Sequence, residues 1–562
     1  MRGADTAVLT AYLLTMVVVG AVYVGQMKSL SMYFAGGKRL SWWLGGVSFL
    51  MSYVSALSIV VYASLGYQYG LVALSIYWTA VPATLLITAL LARRWRRAGI
   101  ITPVEFLETR FAPSVRQVFA WSGIPLMVID EGLKIVAVGI FVSAGMGISP
   151  LKAMIAVGVI TLIYTVLGGL WAIVITDFIQ FVLVTTAILM LVPLTLHAAG
   201  GWHQFVSTAP AGFFHPVNGP YTWGYLGAFI VLTTLSLAGN WSLIQKFYSA
   251  RSEKECLGVG WLASVLFFLL PPVWIFTGML ARTFIPPGAF DPQTIYARVS
   301  AALLPAGMLG LVIAALFAAT MSVLSSGYNV IAAVLTVDVH QRWIHPRATQ
   351  RELVIIGRSL TVVVATVALS IALAVTHFHW TIFDTMVAAF GFFLPPTVLP
   401  VLAGLLSRRL SARGALAGFF TGIGTASGFL AYKLVAKPAN FTAFQAVSIV
   451  IPALVTALVL LVAAFWFPAT GEAAERALRF FARLSQSAAA APETGESPAP
   501  IAGLVIFAMG LILVIVGSGV ASVRANTLTL GTGIMLDLIG LVMMRSGGFL
   551  RRLWPLAATK QP

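Results

Sequence analysis

The chain has 562 residues, of which 59% are hydrophobic and only 9% charged, with a formal net charge of +17 and a mean hydropathy of +0.96. A soluble domain carries about 25% charged residues, so this chain has more apolar surface than one aqueous core can hide, and its solvent is a bilayer. The charge excess does not point to nucleic acid: Arg93, Arg94, Arg96 and Arg97 directly follow an apolar run, as loops facing the cytoplasm do under the positive-inside rule.

The first apolar run, Ala7 to Gly25, is too long for a signal-peptide core and lacks a small-residue cleavage site, so it is predicted to be a retained span. Further runs long enough to cross about 30 Å of hydrocarbon predict spans near 5–27, 43–66, 70–92, 117–146, 150–168, 171–197, 222–245, 257–281, 303–337, 355–376, 380–406, 414–432 and 444–467. A polar segment from Thr470 to Pro500 reads as a cytoplasmic linker (468–500) carrying one short amphipathic helix. Two more apolar stretches, 501–521 and 528–544, bring the count to about fifteen and leave a tail to residue 562.

Basic residues set the orientation. With the amino terminus outside, the inside segments collect the arginine cluster, Arg110, Arg116, Lys246, Arg251, Arg342, Arg413 and Arg479, while the opposite segments hold few, such as Lys152, Arg282 and Lys433. The expected location is the cell inner (plasma) membrane. No loop is long enough for a soluble catalytic or signalling module, and His340, His345, His377 and His379 show no ligand spacing, so the chain does not read as an enzyme. Cys256, the single cysteine, has no partner for a disulfide and reads as an inert small side chain.

Four segments carry a resemblance. MYFAGGKRLSWWLGGVSFLMSYVSALS (32–58), YTVLGGLWAIVITDFIQ (164–180), NWSLIQKFYSARSEKE (240–255) and FAATMSVLSSGYNVIAAVLTVDVH (317–340) resemble the sodium:solute symporter family. The resemblance covers residues 5 to about 467. It implies an all-α integral membrane protein of the leucine-transporter type: a leading helix, two inverted repeats of five helices over 43–197 and 222–406, and extra helices over 414–467. It also implies secondary active transport, with a sodium ion as the coupling ion and a small polar organic solute as cargo. Quaternary state is not readable from the sequence.

The sequence bears on this fold at one point of its own. Gly45, Gly46, Ser48, Ser52, Ser55 and Ser58 cluster in one span, and Ser236, Gly239, Asn240 and Ser242 in another. Such residues suit helices broken near the midplane, whose unwound backbone ligates ions and solute; they equally suit close helix packing. The resemblance favours the breaks.

A sodium ion needs several hard oxygens. Ala319, Ser322, Ser325 and Ser326 share one helical face and offer a carbonyl and three hydroxyls, although serines in membrane helices also serve packing or bond back to their own helix. By resemblance, the common sodium site takes the carbonyls of Met51, Val54 and Ala319 and hydroxyls at 322 and 323; Val323 has none. A second site described in some members implies Ser322, Ser325, Ser326 and Asp177. An intramembrane carboxylate is costly unless it faces an ion, a cavity or a partner, or sits at a helix end. Within 117–146, Lys134 follows Asp130 by four residues and Glu131 by three, allowing a structural ion pair or a substrate-facing or proton-relaying cluster.

Solute contacts are expected at Tyr53, Ser58, Asn240 and Trp241, with Lys134, Glu131 and Asp384 as further candidates; aromatic faces beside hydrogen-bonding groups suit a sugar, polyol, carboxylate or amino acid. The stretch TMVAAFGFFLPP lacks the glutamine that sugar-binding members carry upstream of the proline, which points away from a hexose. Proton coupling on the same fold, motivated by Val323 and the acids beside Lys134, is the alternative, and a transport-like sensor is a further one.

Overall fold

The computed structural model describes residues 3–23, 38–288, 290–305, 307–378, 382–436, 440–488, 499–518 and 523–546. Among these the regular structure is helical, apart from isolated bridges such as Leu40 with Ala250. Helices dominate because a bilayer offers no water to satisfy backbone groups, and a helix satisfies its own.

Both expected breaks are present. Trp42–Met51 and Ala56–Tyr69 meet at a 62° bend, and Trp223–Gly239 and Trp241–Ser249 meet at 52°. At the first break the Ala56 amide, freed from helical bonding, donates to Thr320 Oγ1 at 3.1 Å. At the second, Asn240 Oδ1 accepts from the amides of Ser242 (2.9 Å) and Leu243 (3.2 Å), capping the new half-helix. Polar side chains therefore supply at depth what the unwound backbone loses.

Met308–Val334 is the axis of the bundle. Every residue of it except Leu309 is buried, and it lies against Pro150–Ala198, Pro113–Met146, Gly3–Tyr23 and Gln350–His377. Its start is capped by the leading helix: Asp5 Oδ1 accepts from the amides of Gly307 (2.7 Å) and Gly310 (2.9 Å), so a carboxylate meets the positive end of a helix dipole. Its far end loosens into a wider turn over Leu335–Ile344, where bonds run to the fifth residue.

Nine single helices among the described residues are long and apolar enough to cross a membrane, or eleven when each bent pair counts as one span. The four other expected spans are helical too, but each misses that standard for a specific reason. Pro113–Met146 carries Asp130, Glu131 and Lys134. The described apolar parts of 150–168 and 501–521, Pro150–Ile163 and Ala502–Ser518, are short. The leading span 5–27 runs past Tyr23, outside the described residues. One boundary differs outright: the backbone stays helical from Pro150 to Ala198, through the expected break between 168 and 171.

The last two helices, Ala499–Ser518 and Val523–Ser546, form a hairpin in which Gly503 faces Gly540 and Gly510 faces Gly533. A side-chain carbon at any of these positions would meet opposing backbone within 2.7 Å, so glycine alone permits this approach. The amphipathic helix of the linker is Gly471–Ser485, with Ala477, Phe480, Phe481 and Leu484 buried.

Candidate ion and solute site

The first bent pair, the central helix and Asp177 converge on one point. Asp177 is fully buried; Ser48 Oγ donates to one of its oxygens and Ser322 Oγ to the other. Ser322 Oγ also stands 3.0 Å from the Met51 carbonyl. A hydroxyl has one proton, so Ser322 cannot serve both acceptors. Carboxylate, carbonyl and hydroxyl oxygens thus gather with more acceptors than donors, which is the composition a hard cation seeks.

Beside this point Ser326 Oγ lies 3.1 Å from Ser52 Oγ and 3.5 Å from Lys246 Nζ. Ser325 behaves differently: its hydroxyl donates to the Ser322 carbonyl at 2.9 Å and is turned along its own helix. Val54, Ala319 and Val323 are buried in the same region. The structure therefore brings Asp177, Ser322 and Met51 together, joins Ser326 through Ser52, and holds Ser325 aside.

Sequence reasoning missed three participants. Ser48 and Ser52 were legible only as small polar residues, because their partners lie 129 and 274 positions away. Lys246, counted above among the loop charges, is instead fully buried on Trp241–Ser249. That half-helix is pressed onto the central helix, where Gln245 Nε2 donates to Asn329 Oδ1 at 3.1 Å and Lys246 Nζ reaches Ser326 Oγ.

At the first break lies a cavity lined by Ser52, Tyr53, Ser58, Asp130, Lys134 and Asn240, with Met386 and Phe390 also in its lining. Lys134 Nζ is 2.7 Å from Asp130 Oδ2 and 3.2 Å from Glu131 Oε1. Two expected contacts fall elsewhere. Glu131 turns to the central helix, where Gly327 makes room for it: a Cβ there would come within 2.0 Å of Glu131 Oε1. Trp241 faces a separate apolar cavity with Gly123, Met127 and Leu394. Asp384 lies on Ile382–Leu406, but its side chain is outside the described residues, as is His379.

The basic face of the bundle is held by ion pairs. Glu108 takes Arg342 Nη2 at 2.7 Å and Arg116 Nη1 at 2.9 Å, and Arg116 also pairs with the buried Asp338. Arg97 binds Glu253 through two bonds of 2.8 and 2.7 Å. At the same face His340 and His345, read above as lacking ligand spacing, come together with Glu352.

A profile of the sodium:solute symporter family matches residues 33–422. Sodium/glucose cotransporter 4 of Homo sapiens is 26% identical over 464 residues, covering 75% of this chain and 68% of the relative. The sodium/glucose cotransporter of Vibrio parahaemolyticus is 26% identical over 432 residues, covering 71% and 79%. Among solved structures, a Na+-coupled sialic acid symporter in a substrate-bound outward-open state matches with a TM-score of 0.74 at 20% identity, over 83% of this chain and 98% of that one. Mhp1, a nucleobase-cation-symport-1 family transporter, matches at 0.53 and 14% identity, over 81% and 99%. These likenesses, with two bent spans meeting a central buried helix, give the leucine-transporter-type fold. The chain is a multi-pass membrane transporter that belongs to the sodium:solute symporter family.

Proposed function

We propose that the protein is a secondary active transporter that couples the inward movement of sodium to uptake of a small polar organic solute across the cytoplasmic membrane. The observation that carries this reading is the double position of Ser52. It lines the cavity beside Tyr53 and Lys134, and its hydroxyl meets Ser326 next to the Asp177 cluster. A cation drawn to Asp177, Ser322 and the Met51 carbonyl settles the first break, and the same residues that bend there form a wall of the solute cavity. Ion and solute then stabilise one arrangement of the unwound segment, which is coupling in thermodynamic terms.

The cavity bears on the solute. Tyr53, Ser58 and Asn240 offer hydroxyl and amide groups, and the Lys134–Asp130 pair offers both signs of charge. That lining suits a sugar, a polyol, a carboxylate or an amino acid. Glucose and sialic acid, printed in the names of relatives, are the first solutes to assay. The two repeats are assigned to 43–197 and 222–406, the basic face to the cytoplasm, and the amino terminus to the outside.

Proton coupling is the second reading, and Lys246 is the observation that favours it. A buried lysine nitrogen against Ser326 brings a cationic group to the edge of the Asp177 cluster, where sodium would bring its charge, and Val323 withholds one ligand of the common sodium site. Proteoliposomes with sodium and pH gradients imposed separately decide between them. Accumulation driven by sodium alone supports the first reading; accumulation driven only by the proton gradient overturns it in favour of the second.

A further inference from the structure

We propose that His340, His345 and Glu352 form a binding site for a divalent transition-metal ion of the zinc class on the basic face of the bundle. The three offer two imidazole nitrogens and a carboxylate oxygen that all lie within 4.8 Å of one another. His345 Nδ1 is 2.6 Å and His340 Nε2 is 3.6 Å from the same atom, Glu352 Oε1. Ligands about 2.0–2.2 Å from a tetrahedral zinc stand roughly 3.3–3.5 Å from each other. The first distance must open by less than 1 Å and the second is already close.

The local fold explains why the sequence hides this set. Histidines five apart fall on different faces of an ordinary α-helix. The Leu335–Ile344 stretch has the wider turn, and its bonding reaches His345, whose amide donates to the His340 carbonyl at 2.9 Å. That wider turn, with the His345 backbone leaving the helix, brings residues five apart nearer to one side than an α-helix would. Glu352 arrives in the first turn of Gln350–His377, held there by its amide bond to Thr349 Oγ1 at 3.2 Å.

An ordinary histidine–glutamate pair accounts for only part of this arrangement. His345 and Glu352 satisfy each other, yet His340 Nε2 is buried, aimed at the same carboxylate oxygen, and without a hydrogen-bond partner among the described residues. A dication satisfies all three donors at once. Two neutral imidazoles and one carboxylate are a donor set for zinc or its neighbours in the transition series, and not for sodium or magnesium. His345 and Glu352 are 51% and 34% exposed, which leaves an open side for a water as fourth ligand. Arg342 on the same stretch is neutralised by Glu108, and Arg347 and Arg351 are exposed to solvent, so they oppose a dication weakly.

Occupancy would clasp the last turn of the central helix to the first turn of the next span, across residues 345–349. The helix so held is the one that carries Ser322 and Ser326, and Arg342 links the same corner to the short helix Phe106–Arg110. The site is therefore placed to stiffen the inner end of the transport core.

The test uses the full chain in detergent, stripped of metal and free of any histidine tag, with zinc alone as the probe and a chromophoric chelator as competitor. The expected result is one zinc per chain. Outer-shell losses already weaken metal sites ten- to a hundredfold, so His345→Gln and Glu352→Gln, which remove ligands, should each weaken binding by about a hundredfold or more. His203→Gln, on an exposed helix elsewhere, should leave it unchanged. His345 is half exposed, so its replacement is compatible with folding even where His340→Gln is not. Binding that is undiminished in His345→Gln, or absent in the parent at stoichiometric protein concentration, overturns the proposal. Transport does not enter the measurement, so its outcome is separate from that of the symport reading.

Discussion

Replacing Lys134 with methionine keeps much of the side chain's volume and removes its ammonium from between two acids. The lysine side chain is 8% exposed, Glu131 2% and Asp130 17%, and the pairing distances are 2.7 and 3.2 Å. Removing one partner of a buried pair costs about 3–5 kcal/mol, because the remaining charge is stranded. Here two carboxylates are stranded on adjacent residues. Glu131 has the least relief, since its other oxygen has no hydrogen-bond partner among the described residues and the carboxylate rests on Gly327. Proton uptake by one acid would trim the cost without restoring the contacts. Lys134→Met should therefore lower thermal stability in detergent, followed by intrinsic tryptophan fluorescence, and lower membrane yield. Adding Glu131→Gln should recover a substantial part of the loss, because a neutral amide tolerates that environment. A Lys134→Met protein as stable as the parent would refute the buried-pair reasoning, and one that is stable but has lost solute affinity would assign the lysine to the solute instead.

Four further outcomes are expected. Val323→Ser adds a hydroxyl at a buried position on the central helix and should raise apparent sodium affinity by about 1.5–3 kcal/mol, or ten- to a hundredfold; an unaltered half-maximal sodium concentration for uptake would exclude the common site. Asp177→Asn should abolish sodium-driven accumulation in protein that still reaches the membrane, and Ser48→Ala should weaken sodium dependence more than Ser325→Ala, whose hydroxyl is engaged within its own helix; the reverse order would reject the cluster. Reporter fusions after Arg97 and Arg413 should score cytoplasmic and one after Trp202 external, and an external Arg97 fusion would invert the orientation. Hydrogen bonds from Arg342 and then Arg116 hold the Glu108 carboxyl below the ordinary carboxylate range. Its contribution is thus full at neutral pH and is lost as pH falls through that lowered value. Glu108→Gln should be less stable than the parent at neutral pH, with the gap closing in acid; a gap independent of pH would show that the charge is not involved.

The bilayer class was legible in the sequence from apolar length alone, whereas the two broken spans were open to a packing reading until the resemblance favoured the breaks, and Asp177 stood out as an acid inside a span. Apolar length marks spans, runs of glycine and serine mark weak helix, and a lone intramembrane acid marks a reason for its presence. What escaped depends on tertiary approach. Ser48 became a partner of Asp177 only when Trp42–Met51 was laid against the helix carrying Asp177. Lys246 reads as a loop charge because it precedes a polar, basic stretch, and only the second bend buries it. The histidine pair was hidden by a change of helical pitch that the residues themselves do not announce. Trp241 fell into a different cavity because the side chain after a break can leave on either side of it.

The amphipathic helix Gly471–Ser485 rests on both halves of the bundle. Phe480 stacks on Phe106 with centroids 5.8 Å apart, and Phe481 lies under the guanidinium groups of Arg110 and Arg408. Arg97 donates to the Leu484 carbonyl at 2.8 Å while holding Glu253, which in turn accepts from Ser487 and Ala488. Arg97 and Phe106 belong to the first half of the chain's bundle, and Glu253 and Arg408 follow the second break. A splint fixed to both halves resists their relative movement, and alternating access proceeds by rocking or gating one part of such a bundle against the other. In the transport cycle proposed above, the segment that looks like a tether to the last hairpin would thus also be a load on that movement.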